Sequence, residues 1–249
     1  MQVLKIGGNE LADPAFLPAL AEAVAGLGEP VVIVHGGGKS IADMQLRLGL
    51  EPRKVEGLRV TDEPSLEVAQ MVLSGQANKA IVRALLAVGV QALGISGVDG
   101  GLLRCHKKQH PTVDLGLVGE IDEVNSGLLN TLLRSQLTPV VSPISLGHNG
   151  ALYNVNADEA AAAIATALKA STLSFVSNVR AVMGKSGEEI ECLTAPATNE
   201  LIAQGVIRDG MVPKVQAALD VVSRGVPEVI IRDLDGLKTG AGTRFVSVK

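Results

Sequence analysis

Two short apolar runs near the N-terminus each end in a cluster of glycines, and this pattern restricts the fold more than any other feature. Gln2–Ile6 leads into glycines at positions 7 and 8, and Val31–His35 leads into glycines at positions 36–38. The stretch 16–27 between them has apolar residues at helical spacing. Short buried strands that alternate with helices form parallel sheets, because the chain must cross back over the sheet before each new strand. The start of the chain therefore predicts an α/β fold.

The same alternation continues to the end of the chain. Further strands are predicted at 92–95, 139–142, 173–176, 229–231 and 245–248, with a strand-rich region at 102–124. Further helices are predicted at 40–48, 66–73, 78–88, 126–135, 158–168, 194–204 and 215–222, and the charged stretch 51–60 is predicted to form a hairpin or flap. This order predicts a three-layer α-β-α sandwich with a central, mostly parallel sheet. A turn cluster at 147–150 predicts a boundary between an N-terminal lobe, 1–150, and a C-terminal lobe, 151–249.

The composition excludes several kinds of partner. The chain has three Phe, one Tyr and no Trp, so an aromatic platform for single-stranded nucleic acid is not expected. The net charge is −4 and no basic stripe stands out, which argues against duplex binding. No apolar stretch approaches the roughly 18 residues of a membrane span, and the N-terminus does not resemble a signal peptide. Cys105 and Cys192 lack metal-ligand spacing and are expected to be free thiols in a reducing cytoplasm.

The glycine clusters are candidate anion sites. Glycine lets backbone N–H groups approach a phosphate or carboxylate closely, and a helix that follows adds its own free N–H groups. The string GKS at 38–40 resembles the end of a P-loop, but the glycine that this motif requires at position 33 is Ile33. A dinucleotide fingerprint that starts at Gly36 would require glycine where Ile41 stands. Anion binding without either motif is predicted, and a plain tight turn remains the alternative.

Three charged residues point to phosphoryl transfer, which needs alignment and positive charge around the transferred group. Lys5 interrupts the first apolar strand just before the glycines, and Lys214 follows Pro213 at a predicted helix start. Asp158 opens another predicted helix, and a carboxylate between two lysines would hold both in place. Each residue also has a structural alternative, namely an exposed lysine for Lys5 and Lys214 and helix capping for Asp158.

Three further polar residues stand near these elements. Arg59 lies beside the flap, and its guanidinium fork matches a carboxylate, although a surface arginine is the alternative. Asn154 precedes the helix that Asp158 opens and is a candidate for substrate contact, with capping as the alternative. His35 ends a buried strand and is predicted to be a structural histidine rather than a catalytic base.

Six strings resemble those of the N-acetylglutamate kinases, within the amino acid kinase family. They are KIGG at 5–8, VIVHGGG at 32–38, GLRVTD at 57–62, GQANK at 75–79, NVNAD at 154–158 and DGMVPK at 209–214. They follow the family's order and cover nearly the whole chain. Each string alone is weak evidence for the family, whereas their combination is highly specific.

The resemblance implies phosphorylation of the γ-carboxylate of N-acetyl-L-glutamate by ATP, the second step of arginine biosynthesis. Lys5 and Lys214 would stabilise the transferred phosphoryl group, and Asp158 would organise them. The implied substrate-binding residues are Gly37, Gly38, Arg59 and Asn154. The implied nucleotide-binding residues are Gly8, Ser177, Asn178, Val179, Met183, Ile207 and Met211. No residue is assigned as a metal ligand, because Mg²⁺ would be carried mainly by the nucleotide and water.

Three positions depart from the family pattern. Asn178 replaces an acidic residue and Ala181 a glycine in the nucleotide loop, and Val98 stands where lysine is common. Kinases for carrier-protein-linked aminoadipate in lysine biosynthesis show a related turn and loop, so that substrate remains an alternative. A non-catalytic amino-acid sensor is the alternative from another class. In this family, arginine-inhibited members carry an N-terminal helical extension that links dimers into hexamers. Because this chain begins at its first strand, the resemblance implies a homodimer with weak or no arginine feedback. A cytoplasmic location is expected from the free cysteines.

Overall fold

The computed structural model of the protein describes residues 1–8 and 10–247 and contains the parallel sheet predicted from the sequence. In chain order the strands are β1 (Gln2–Ile6), β2 (Val31–His35), β3 (Lys54–Val55), β4 (Leu58–Arg59), β5 (Ala92–Ser96), β6 (Leu103–Lys107), β7 (Gly119–Val124), β8 (Thr138–Ser142), β9 (Ile144–Gly147), β10 (Leu152–Asn154), β11 (Thr172–Val176), β12 (Val182–Met183), β13 (Glu189–Ile190), β14 (Cys192–Leu193), β15 (Glu228–Arg232) and β16 (Thr243–Val246). The central sheet has the spatial order β14-β16-β15-β11-β1-β2-β8-β5. Neighbouring strands from β15 to β5 are parallel, and β16 runs antiparallel to β15.

Helices cover both faces of this sheet. They are α1 (Phe16–Ala25), α2 (Gly38–Arg47), α3 (Glu63–Gln70), α4 (Asn78–Ala87), α5 (Ser126–Arg134), α6 (Ala157–Ala167), α7 (Ala195–Ala203), α8 (Met211–Ser223) and α9 (Leu234–Thr239). One core packs α1, α4 and α9 against the sheet, and a second core packs α6 and α8 against the opposite face. The predicted three-layer α-β-α sandwich is therefore confirmed.

The side chains of β1 alternate between these two cores, as strand geometry requires. Leu4 and Ile6 belong to the core under α1 and α4, whereas Val3 belongs to the core under α6 and α8. Lys5 therefore points to the side of α6 and α8, one residue before the carboxyl end of its strand. Open α/β sheets bind their ligands at this edge.

The helices predicted at 66–73 and 78–88 are one continuous helical rod. α3 passes into a π-helical segment, Met71–Ala77, which leads directly into α4. The predicted break near Gly75 was wrong, because an isolated glycine is tolerated inside a helix at a cost of about 1 kcal/mol.

Other boundaries differ from the prediction by a few residues. α8 begins at Met211 rather than at position 215, so Pro213 is its third residue, where a missing N–H is harmless because the first turn has no internal partners. The predicted strand 245–248 is found at Thr243–Val246, and Val248 lies outside the described residues. The predicted hairpin at 51–60 is confirmed as β3–β4. In the second sheet, β10-β9-β6-β7, only β6 and β7 fall within the predicted strand-rich region 102–124, and β9, β10 and α9 were not predicted.

Within 1–8 and 10–247, no helix is both long and apolar enough to cross a membrane. The same residues contain no group of three or more His, Cys, Asp or Glu that could hold a metal ion. Cys105 is buried and Cys192 exposed, and both are free thiols. The predicted lobe boundary at residue 150 stays a prediction.

Candidate active site

A cleft of about 430 Å³ opens at the carboxyl edge of the central sheet. Its walls come from the two glycine loops, the β3–β4 hairpin and the N-terminal ends of α6 and α8. The predicted site residues that line it are Lys5, Gly8, Gly37, Gly38, Arg59, Asn154, Asp158, Ser177, Asn178 and Lys214. The structure therefore brings together residues that lie far apart in the sequence.

The charged residues of the cleft are held from two sides. The Lys5 Nζ lies 2.9 Å from the Asp158 Oδ1, in an ion pair across the β1–α6 interface. Asn156 caps α6 by accepting from the Asp158 backbone N–H at 2.7 Å, which fixes the start of that helix. The Lys214 Nζ lies 3.4 Å from the Ser177 Oγ. Asp158 thus pairs with Lys5, while Ser177 is the residue in contact with Lys214.

Lys214 is half-buried, and this burial lowers the pKa of its amino group. The Glu10 and Asp158 carboxylates act in the opposite direction, and the Lys5 charge lowers the pKa further. Lys5 and Lys214 thus place two ammonium groups in one cleft, and this arrangement favours an anion between them. A phosphoryl group is such an anion.

The two glycine loops approach each other closely at Gly8. A methyl group on Gly8 would lie 2.6 Å from the backbone nitrogens of both Gly37 and Gly38. The space at this position therefore accommodates only glycine. Helix α2 begins at Gly38, and the N–H groups of its first turn have no partner within the helix. These N–H groups add a partial positive charge beside the lysines, which is suited to a phosphate or carboxylate.

The hairpin side of the cleft carries two of the predicted substrate-binding residues. Arg59, on β4, is 8% exposed, and burial lowers the pKa of its guanidinium group. Its Nη2 donates to the Gly38 carbonyl at 2.7 Å, and its Nη1 donates to Gln45. The Asn154 Nδ2 donates to the Thr61 Oγ1 at 3.3 Å. Arg59 therefore links the hairpin to the second glycine loop.

The predicted nucleotide-binding residues are not all in the cleft. Ser177 also lines an adjoining cavity of about 270 Å³ between β11 and the start of α8, and the Val179 N–H donates to its Oγ at 3.3 Å. Met183 is 46% exposed on β12, and Ile207 is 2% exposed in the core that Met211 borders. The nucleotide roles of these four residues outside the cleft, Val179, Met183, Ile207 and Met211, stay predictions.

Glu10 was missed by the sequence analysis. It lines both the cleft and a neighbouring cavity of about 500 Å³. Its carboxylate packs so tightly against Gly7 that a methyl group on this glycine would overlap it. The sequence feature that could have indicated it is the position of Glu10, two residues after the glycine pair 7–8. Glu10 therefore adds a negative charge at the mouth of a largely cationic cleft.

This fold and site correspond to one class of protein. The model of the amino acid kinase family matches residues 1–233, which include the whole cleft and both lysines. The chain therefore belongs to the amino acid kinase family.

Similar proteins indicate which group within the family this chain resembles. An acetylglutamate kinase of Chloroflexus aurantiacus is 48% identical over 246 residues, which cover 98% of this chain and 96% of that protein. An acetylglutamate kinase of Methanopyrus kandleri is 43% identical, with coverage of 98% and 99%. The crystal structure of a Streptococcus mutans protein superposes with a TM-score of 0.82 at 28% identity and covers 98% of each chain. Within the family, the chain groups with the acetylglutamate kinases.

Proposed function

We propose that this protein transfers the γ-phosphoryl group of ATP to the γ-carboxylate of N-acetyl-L-glutamate, the second step of arginine biosynthesis. The observation that carries the proposal is the meeting of Lys5, Asp158 and Lys214 with both glycine loops in one cleft. The full-length similarity to acetylglutamate kinases supports the choice of acceptor. The product is an acyl phosphate.

The residues of the cleft supply alignment and charge rather than covalent chemistry. Lys5 and Lys214 stabilise the negative charge of the phosphoryl group as it moves between oxygens, and Asp158 holds Lys5 in position. The backbone N–H groups of Gly37 and Gly38 add donors on the other side. A carboxylate acceptor is already ionised at neutral pH, so the reaction needs no general base.

The acceptor and the nucleotide enter from different sides. Arg59 and Asn154 hold the α-carboxylate of the acceptor at the hairpin side, while Ser177, Asn178 and the start of α8 bind the nucleotide. The cleft suits a magnesium nucleotide, because Mg²⁺ takes few protein carboxylates and keeps phosphates and water as ligands. Glu10 and Asp158 are the carboxylates that line the cleft. When bound, the ion neutralises phosphate charge.

The first experiment is ATP turnover with hydroxylamine trapping of the acyl phosphate. N-acetylglutamate, glutamate and N-acetyl-aminoadipate are compared side by side. A strong preference for N-acetylglutamate is expected. Turnover of the aminoadipate analogue alone would move the protein to the carrier-linked substrate class, and binding without any turnover would favour a sensor.

The role of Lys214 carries a separate prediction. Lys214→Ala should lower kcat by about 10²–10³-fold and change KM little, because its contact strengthens in the transition state. Steady-state kinetics check this. The control is Arg83→Ala, which removes an exposed positive charge from α4 and should leave kcat unchanged. An unchanged kcat in Lys214→Ala would remove this residue from the mechanism.

We also propose that the protein is a homodimer. Strand β5 forms one edge of the central sheet, and its Leu93 is 38% exposed. An open edge strand with an exposed apolar side chain is a surface that proteins usually cover. Light scattering should give twice the chain mass of 25.7 kDa; a monomer or a hexamer would contradict the proposal. The cytoplasmic location stays a prediction.

A further inference from the structure

His35 is a buried titratable residue that the proposed chemistry does not use. It ends β2 on the face that α4 covers, and it is fully buried. Burial lowers the pKa of its imidazole to about 4, so the ring is neutral at physiological pH. A neutral imidazole has one N–H donor and one bare nitrogen acceptor. Its two neighbours therefore decide which nitrogen carries the proton.

The contacts of the ring fit a single tautomer. The Nδ1 lies 3.0 Å from the Gly36 carbonyl oxygen, and because a carbonyl oxygen can only accept, Nδ1 carries the proton. The Nε2 then accepts from the Asn78 Nδ2, which lies 3.3 Å away. Asn78 is fully buried as well. One hydrogen of its amide nitrogen goes to the Val140 carbonyl at 2.8 Å, and the other is shared between the His35 Nε2 and the Ile95 carbonyl, each at 3.3 Å. The Lys79 Nζ donates to the Asn78 Oδ1 at 3.0 Å, which fixes the orientation of the amide.

The Gly36 carbonyl matters because of what lies on the other side of its peptide. The Gly36 carbonyl and the Gly37 N–H belong to one planar group and point in opposite directions. When His35 holds the carbonyl, the direction of the Gly37 N–H is fixed too. Gly37 lines the cleft directly beside Gly8. A methyl group on Gly8 would lie only 2.6 Å from the Gly37 backbone nitrogen.

A peptide between two glycines has little steric resistance to rotation, because neither residue has a Cβ. A flipped Gly36–Gly37 peptide would turn a carbonyl oxygen, rather than an N–H, toward a bound phosphate. We propose that His35, oriented by Asn78, is a positioning residue that keeps the Gly37 N–H directed at the transferred phosphoryl group. This inference deepens the proposed function and rests on it.

The helical rod supports the same peptide from a second side. Asn78 is the first residue of α4, directly after the π-helical segment. Leu73, within that segment, packs against Gly37. A methyl group on Gly37 would lie only 2.7 Å from the Leu73 Cδ2. The rod thus supports this loop twice, through the apolar contact of Leu73 with Gly37 and through the polar contact of Asn78 with His35.

The test compares His35→Leu, which cannot donate, with His35→Gln, whose amide offers both a donor and an acceptor. In His35→Leu, kcat should fall at least ~10-fold while KM for N-acetylglutamate changes less than kcat, because losing one aligned donor acts mainly on the transition state. His35→Gln should recover part of the loss. Ile33→Ala, two residues earlier on the same buried face, is the control for a merely weakened core and should keep the kcat of the parent.

A second measurement is independent of turnover. Nuclear magnetic resonance on protein with isotope-labelled histidine and glycine should show the proton of His35 on Nδ1. The Gly37 amide signal should shift when ADP with aluminium fluoride is added, and this shift should be lost in His35→Leu. A proton on Nε2, or the same Gly37 shift in both proteins, would overturn the inference. Failure of the parent protein to phosphorylate N-acetylglutamate would instead reject the proposed acceptor, and the spectra would still decide the role of His35.

Discussion

Lys5 and His35 lie near the carboxyl ends of neighbouring strands but on opposite faces of the sheet. In the β1–β2 register Lys5 pairs with Val34 and Ile6 with His35, so strand alternation sends Lys5 toward α6 and His35 toward α4. The sequence predicted Lys5 as a phosphoryl ligand and His35 as structural. The partner of His35 could not be predicted, because Asn78 is 43 positions away and the contact depends on helix packing.

Stability at mildly acidic pH should depend on His35. Its pKa is about 4 in the folded chain against 6.5 for a free imidazole, so the unfolded chain binds the proton more readily between these values. The contribution of neutral His35 to the free energy of unfolding is complete above the pKa of the unfolded chain. It is lost as the pH falls toward the pKa of the folded chain, and the total loss is about 3 kcal/mol.

Urea unfolding of the parent and of His35→Gln measures this effect. Between about pH 7 and about pH 5 the parent should lose roughly 2 kcal/mol more of its free energy of unfolding than His35→Gln does. Equal losses in the two proteins would mean that the histidine titrates normally. Because carboxylates titrate in both proteins, their contribution cancels in the comparison.

At the scale of elements, the contact between the two glycine loops is sensitive to a single methyl group. Gly8→Ala would place a Cβ 2.6 Å from two backbone nitrogens, and backbone cannot move aside as a flexible side chain can. Nucleotide binding should weaken at least ~10-fold, since the N–H groups would no longer converge on one anion. Calorimetric titration with magnesium ADP checks this.

Gly75→Ala is the matched control for that substitution. Gly75 lies in the helical rod, and a methyl there would meet nothing within 4 Å. Alanine is favoured over glycine in helices by up to about 1 kcal/mol, so this variant should bind nucleotide normally and unfold at the same or a higher temperature. Equal nucleotide affinity in Gly8→Ala and Gly75→Ala would refute the spatial argument.

Among the elements, those with a strong periodic pattern could be predicted and the shorter ones could not. The apolar runs of β1, β2, β8 and β11 were found nearly residue for residue, because a buried strand needs a continuous apolar sequence. The two-residue strands β12, β13 and β14 carry too few side chains to show a pattern. The π segment was invisible because its apolar residues also fit an ordinary helix.

For the whole molecule, the order of strands is what assembles the site. Lys5, Asp158 and Lys214 meet because β11 and β2 flank β1 and because α6 and α8 cover the same face. Motif resemblance suggested that these residues belong together. The periodicity of the sequence could not predict their meeting, because a local pattern does not indicate which strands become neighbours in the sheet.

The two predicted lobes should unfold as one unit. β1, from residues 1–150, pairs along its whole length with β11, from residues 151–249. Scanning calorimetry should therefore show one transition, and N-acetylglutamate or magnesium ADP at 100 times its dissociation constant should add about 2.7 kcal/mol to the whole transition. Two transitions, each moved by one ligand, would show that the lobes are independent.

The bond from Arg59 to the Gly38 carbonyl joins the acceptor side of the cleft to its phosphate side. The guanidinium proposed to meet the acceptor also holds the loop proposed to meet the phosphate. Occupation of one position therefore alters the preorganisation of the other, and this coupling is reciprocal by thermodynamic necessity. The two substrates would therefore not bind independently, and each would change the apparent affinity of the other by the same factor.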